Sequence, residues 1–140
     1  MIVKVVESNN ELDDAFKVRN TVFVEEQKVP AELEIDEHEN DATHFVAYDD
    51  RIPVAAGRFR VVDQMAKVER ICVLSSYRKT GLGQELINTI EEQAEKLNLS
   101  KMKLNAQLSA VGFYNKLGYE TVSGEFMDAG IPHVTMTKEL

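Results

Sequence analysis

The sequence predicts an α/β domain. Its sheet is mixed and mostly antiparallel, with about six or seven strands, one parallel step and about four flanking helices. Three observations carry that expectation. β-Branched runs of strand length recur along the whole chain. One long segment, Leu82 to Leu97, repeats its apolar residues at helical spacing instead. Finally, the order is strand, helix, three strands, helix, strand, helix and two strands. A long helix between two strands carries the chain back over the sheet, so the strands it joins run parallel. The 140 residues are enough for one domain with a real core, and no linker, repeat or low-complexity segment interrupts them.

Ile2 to Glu7 reads as the first strand, dense in Ile2, Val3, Val5 and Val6. Ser8, Asn9 and Asn10 offer helix N-caps, and Glu11, Asp13 and Asp14 suit a first helical turn. The helix they open runs to about Phe23 and buries Leu12, Ala15, Phe16, Val22 and Phe23. Arg19 falls inside that apolar stripe. A buried arginine needs a carboxylate partner, so a structural ion pair is favoured over a ligand contact. Val24 to Asn40 is irregular and acidic, broken by Pro30, with Ala31 to Leu33 able to form one helical turn. Such a charge run reads first as a solvated loop and second as the wall of a binding site.

Thr43 to Tyr48 and Val54 to Val62 read as a hairpin across Asp49 to Pro53, with Arg58 and Arg60 on one face. A turn at Asp63 to Met65 leads into a central strand, Val68 to Leu74, and then into the long helix. That helix buries Leu82, Leu86, Ile87, Ile90, Ala94 and Leu97. Lys101 to Gln107 alternates as a half-exposed strand does. Ser109 can cap a short helix from Ala110 to Leu117, which Gly118 closes. Tyr119 to Ser123 and His133 to Lys138 form a terminal hairpin around the loop Gly124 to Pro132.

The chemistry begins between the central strand and the long helix, at Arg78, Lys79, Thr80, Gly81, Leu82 and Gly83. A helix N-terminus leaves backbone N–H groups unpaired and carries partial positive charge. Glycines at Gly81 and Gly83 let an anion approach the backbone, and Arg78 and Lys79 add two cations. A pyrophosphate fits this loop; a plain tight turn fits the same pattern. A P-loop is excluded because no Gly-Lys-Ser/Thr follows, and a dinucleotide fingerprint because no third glycine comes three residues later.

Arg-x-x-Gly-Leu-Gly, placed after Val68 to Leu74, resembles the acetyl-CoA signature of the GNAT family of N-acetyltransferases. Leu104 to Tyr119 resembles the family's later block. Ala110, Tyr114, Lys116 and Gly118 match its pattern, Gln107 stands where many members have Asn, and Tyr119 where most have Phe. Val18 to Phe45 resembles the small bacterial ElaA-like or YjcF-like subgroup. The resemblance implies the GNAT fold, in which the strands around Ile71 and Asn105 splay apart and the cofactor enters the gap. It also implies acetyl-CoA as cosubstrate and no metal. The backbone of Ile71, Cys72 and Val73 would then pair with the pantetheine arm, and the Val73 N–H would polarise the thioester carbonyl. Asn105 and Gln107 would hydrogen-bond its amides.

Transfer to an amine needs an anchored thioester, a deprotonated nucleophile and a proton for the leaving thiolate. Tyr114 is the candidate acid, because a phenol with an ordinary pKa of about 10 is protonated at neutral pH. By helical position alone it reads equally as a core tyrosine beside Ala110, Phe113 and Leu117. Glu69 is the candidate base, or else an ion-pair partner of Arg58, Arg60 or Lys67. Strict alternation puts Glu69 on the face of Ile71 and Cys72 on the face of Val68. His44 could shape an acceptor pocket or be a polar group satisfied within its strand. Cys72 reads as a small buried hydrophobe and not as a nucleophile. The expected acceptor is a primary amine on a small molecule, a protein terminus or a lysine. The competing expectation is an acyl-CoA-binding sensor with little turnover.

A formal charge of −8 argues against nucleic acid and leans weakly toward a cationic amine. The absence of a long apolar run argues against a membrane span. One cysteine forms no intramolecular disulfide and no zinc site by itself, and the acid-rich start lacks a signal pattern, so the expected setting is cytoplasmic. Terminal strands offer edges through which a homodimer could form.

Overall fold

A computed structural model describes residues 1–140. The strands are β1 (Ile2–Val5), β2 (Thr43–Asp49), β3 (Ile52–Val62), β4 (Met65–Val73), β5 (Lys101–Gln107), β6 (Glu120–Thr121), β7 (Phe126–Asp128) and β8 (Ile131–Glu139). The α-helices are α1 (Asn9–Arg19), α2 (Ala31–Glu34), α3 (Leu82–Lys96) and α4 (Val111–Lys116). The sheet runs β1-β2-β3-β4-β5-β8-β6, with β7 also on β8, and only β4 and β5 lie parallel. It thus holds eight strands, because the terminal loop folds a short extra strand, β7, back onto Ile131–His133.

The larger core lies between the sheet and α3, whose Leu82, Leu86, Ile87, Ile90 and Ala94 are all buried. Leu97 departs from expectation: α3 ends at Lys96, and Leu97, as its C-cap, is 47% exposed. On the opposite face a smaller cluster joins Ala15, Val18 and Val22 to Val46, Ala56 and Cys72. Ser8 caps α1, its hydroxyl accepting from the Glu11 N–H at 3.2 Å, while the Glu11 carboxylate accepts from the Glu7 N–H at 2.7 Å. The helix does not run on to Phe23 as an α-helix. From Asn20 to Glu26 it widens into a π-helix. Ala15 and Val22 are buried as expected and Val18 with them, while Leu12, Phe16 and Phe23 are only half-buried. Ala110, not Ser109, caps α4, because Leu108–Ala110 already form a 3₁₀ turn. Gly118, at φ +97°, ends that helix as expected.

Candidate active site

Pairing between β4 and β5 covers only Met65–Val68 against Lys101–Leu104. Beyond it β4 continues to Val73 and β5 to Gln107 with no pairing between them. This is the splay that the family resemblance implies. A bulge helps to produce it. Glu69 pairs with Arg58 and Cys72 with Ala56, so Arg70 and Ile71 together stand opposite Gly57. Arg70 takes φ +60° there. Gly57 is needed at this crossing, since a Cβ on it would lie 2.6 Å from Ile71 Cδ1.

The bulge also changes which way side chains point. Val68 and Ile71 now share the α3 side, while Cys72 packs with Ala15 and Val18 on the α1 side. Glu69, whose carboxylate meets Arg58, lies on the α1 side too. The alternation expected for Glu69 and Cys72 is therefore reversed, because an inserted residue shifts the period of two.

At the top of β4 the Leu74 N–H donates to Val54 O at 2.9 Å. Adjacent amides in a strand point opposite ways, so the Val73 N–H is turned into the split. The Val73 carbonyl accepts from Arg78 Nε at 2.9 Å, and the rest of that guanidinium grips Glu26 at 2.7 and 2.8 Å. Arg78 and Glu26 are both exposed, and such a pair is worth at most about 1 kcal/mol, so the guanidinium is released from the carboxylate cheaply. Lys79 makes no ion pair, and Gly81 takes φ +89° with open space over its Cα. The N–H groups of Leu82, Gly83 and Gln84 have no partner; the first amide of α3 to find one is that of Glu85, on Gly81 O at 3.1 Å. Thr80 turns its hydroxyl inward to Tyr77 O. This end of α3 is an anion cradle with its donors free.

Tyr114 is 7% exposed and packs edge-on against Phe113 and Tyr119. Its hydroxyl makes no hydrogen bond, and burial pushes its pKa well above the ordinary phenol value. Asn105 Oδ1 accepts from Thr135 Oγ1 at 2.8 Å, and Gln107 Nε2 donates to Gln27 Oε1 at 2.9 Å. Gln107 therefore ties the end of β5 to the π-helix.

His133 is the residue the sequence reading missed. It is 8% exposed, pairs across strands with Gln107 and stacks on Phe126 at 6.0 Å. Its Nδ1 lies 2.7 Å from Ile131 O. A carbonyl only accepts, so Nδ1 carries a proton, and Nε2 has no protein partner. A lone histidine in a strand gives no sequence signal of this.

Glu69 is heavily engaged. It holds Arg60 Nε at 2.9 Å, Arg58 Nη2 at 3.0 Å and Lys67 Nζ at 3.6 Å. Burial raises its pKa, but the neighbouring Arg60, Arg58 and Lys67 outweigh that, and the net shift is downward. The network extends further. Arg58 reaches Asp36 at 2.7 Å and Glu39 at 2.8 Å, Arg19 reaches Glu34 at 2.9 Å and Glu39 at 2.7 Å, and Arg70 reaches Glu34 at 2.7 Å. Arg19 is thus in the expected ion pair. The acidic stretch is not a solvated loop throughout, because Glu34, Asp36 and Glu39 lash it to β3 and β4. His44 donates from Nε2 to Glu39 O at 2.8 Å, leaving Nδ1 buried without a partner, and burial lowers its pKa. Burial likewise pushes the Cys72 thiol up to about 12, so it is no nucleophile.

A model of the acetyltransferase (GNAT) domain matches residues 8–140. The chain is 50% identical to the N-acetyltransferase YjcF of Bacillus subtilis (strain 168) over 136 residues, covering 96% of this chain and 97% of that one. An acyl-CoA N-acyltransferase from Pseudomonas aeruginosa superposes at a TM-score of 0.88 with 26% identity, covering 99% of each chain. An aminoglycoside 6'-N-acetyltransferase in complex with coenzyme A superposes at 0.79 with 18% identity over 99% of this chain and 97% of its own, which is a likeness of fold. With a splayed parallel pair, a free-donor loop after β4 and a family match over nearly its whole length, the chain belongs to the GNAT family of acetyltransferases.

Proposed function

We propose that the chain is an acetyl-CoA-dependent N-acetyltransferase that passes the acetyl group directly to a primary amine of a small molecule or peptide. Both substrates are held together in a ternary complex. The observation that carries this reading is the unpaired edge of β4, which leads straight into the free amides of α3. Those groups fit acetyl-CoA: the Leu82, Gly83 and Gln84 amides with Arg78 and Lys79 for the pyrophosphate, and the Ile71 to Val73 edge with Asn105 and Gln107 for the pantetheine. When bound, acetyl-CoA supplies an activated acyl carbon and a thiolate leaving group.

The chain's own residues do the rest. The Val73 N–H, aimed into the split, stabilises charge on the carbonyl oxygen. On the α1 side, His133 Nε2 takes the proton of the incoming ammonium, directly or through water. Glu69 instead fixes Arg58, Arg60 and Lys67. On the α3 side, the Tyr114 hydroxyl protonates the departing thiolate, since burial keeps it neutral and nothing else claims its proton. The lone, buried Cys72 thiol fits a reducing, cytoplasmic setting.

The test is calorimetric titration with acetyl-CoA beside dephospho-CoA and ATP, followed by thiol-release assays with a panel of amines. Saturable binding of acetyl-CoA and turnover of at least one amine are expected. No binding would reduce the loop to a turn and end this reading.

A further inference from the structure

We infer that the acceptor carries an anionic group, a carboxylate or a phosphate, several bonds from its amine, and that Lys103 receives it. This rests on the acceptor reading above. On the α1 side the sheet below the split carries no helix, and a groove of about 300 Å³ lies there, bounded by Arg60, Lys67, Lys103, Asn105 and Thr135.

Its charge is unusual for this chain. Arg60, Lys67 and Lys103 are cross-strand partners, Arg60 with Lys67 and Lys67 with Lys103, so three cations stand in one row across β3, β4 and β5. Like charges placed opposite one another destabilise a sheet unless something neutralises them. Glu69 serves Arg60 and Lys67, and it is shared with Arg58. Lys103 has no ion pair, and Asp63, the one acid lining the groove, bonds none of the three. On a molecule of formal charge −8, the groove is a local positive field open to solvent. The weak lean toward a cationic acceptor, drawn from overall charge, is reversed at this spot.

Position links the groove to the chemistry. Lys103 precedes Asn105 and Gln107 on β5, about 7 and 14 Å away at the usual strand rise. Asn105 marks the mouth of the split, and Gln107 is the cross-strand partner of His133. An acceptor with its acid group on Lys103 therefore extends its amine toward the split along the face that carries His133.

The test compares straight-chain amines of one length in the thiol-release assay: hexylamine, diaminohexane, aminohexanoate and aminohexyl phosphate. Wild-type protein should favour one or both acidic amines over hexylamine by about tenfold in kcat/KM, and diaminohexane should be poorest. The two acidic arms separate carboxylate from phosphate. In Lys103→Glu the ratio of acidic amine to hexylamine should fall at least about tenfold, with Lys103→Gln between. Equal use of diaminohexane and aminohexanoate, or a ratio that Lys103→Glu leaves unmoved, overturns the inference. If no amine turns over, aminohexanoate and hexylamine are titrated calorimetrically into the free protein. Aminohexanoate binding that Lys103→Glu abolishes supports the groove even where the transferase reading fails, and equal binding of the two amines rejects it.

Discussion

Replacing Tyr114 by Phe removes one oxygen from a site where the structure makes the two competing roles give opposite results. Tyr114 is a buried residue whose hydroxyl makes no hydrogen bond within the protein, so in a purely structural role that hydroxyl contributes little. Removing a hydroxyl that bonds no protein group is close to neutral, and the ring keeps its edge contacts with Phe113 and Tyr119. Tyr114→Phe should therefore unfold within about 0.5 kcal/mol of wild type, or slightly later, in a urea titration. As the proton donor to the thiolate its loss should be large, about 10²- to 10⁴-fold in kcat. Acetyl-CoA affinity, measured by calorimetry, should stay within about threefold, because anchoring belongs to the α3 amides. A Tyr114→Phe protein that keeps kcat within about threefold refutes the assignment and returns Tyr114 to the core.

Four further outcomes follow from the same geometry. Gly81→Asp places a carboxylate before the free amides of α3 and forces a strained φ of +89°, so acetyl-CoA binding should disappear from calorimetric titration while the melting temperature drops only modestly. Arg58→Met strands Asp36, Glu39 and Glu69 without their shared cation and should cost about 3–5 kcal/mol in urea denaturation; a cost below about 1 kcal/mol would contradict the network. Glu39 is held down to about 2, chiefly by Arg19 against the upward push of burial, so its stabilisation is complete above the ordinary carboxylate range. It should fade as pH falls from about 4.5 toward 2, and Glu39→Gln should flatten that slope in denaturant midpoints measured against pH. His133→Asn keeps a donor for Ile131 O but removes the base, and should lower kcat at least about 10²-fold, whereas Glu69→Gln should stay within about tenfold in the same assay; the reverse ranking would restore Glu69 as the base.

The parts of the fold legible in the sequence are those with a repeating signal. α3 declares itself through Leu82, Leu86, Ile90 and Ala94, one turn apart, and the chain direction on either side of it fixes the parallel step. Arg19 was legible too, since an arginine inside an apolar stripe demands a carboxylate. Which carboxylate was not, because Glu34 and Glu39 reach it only through the fold of an irregular loop. The π-helix from Asn20 to Glu26 has no pattern of its own, since one widened turn arises from packing and not from local preference. The bulge at Arg70 was equally silent. An arginine at φ +60° contradicts local propensity, and only the wedge of Gly57, Ile71 and Ile90 and the carboxylates waiting for its guanidinium explain it.

That bulge sets which face the upper end of β4 presents. Had β4 kept its alternation, Ile71 would have pointed to the α1 side with Glu69, and Cys72 toward α3 with Val68. Glu69 precedes the bulge, next to the α3-facing Val68, so it points to the α1 side either way, where Arg60, Arg58 and Lys67 hold it ionised. The same twist sends Arg70 to Glu34 and so clamps the acidic loop over the sheet. Glu34, Asp36 and Glu39 are spent on Arg19, Arg58 and Arg70, while Glu25, Glu32 and Glu37 meet no arginine or lysine. Lys103 keeps its charge unpaired, and His133 Nε2 meets no protein group. The inserted residue thus brings Ile71 to the α3 side and Arg70 to the acidic loop, and in the proposed reading the acceptor meets β5 and β8.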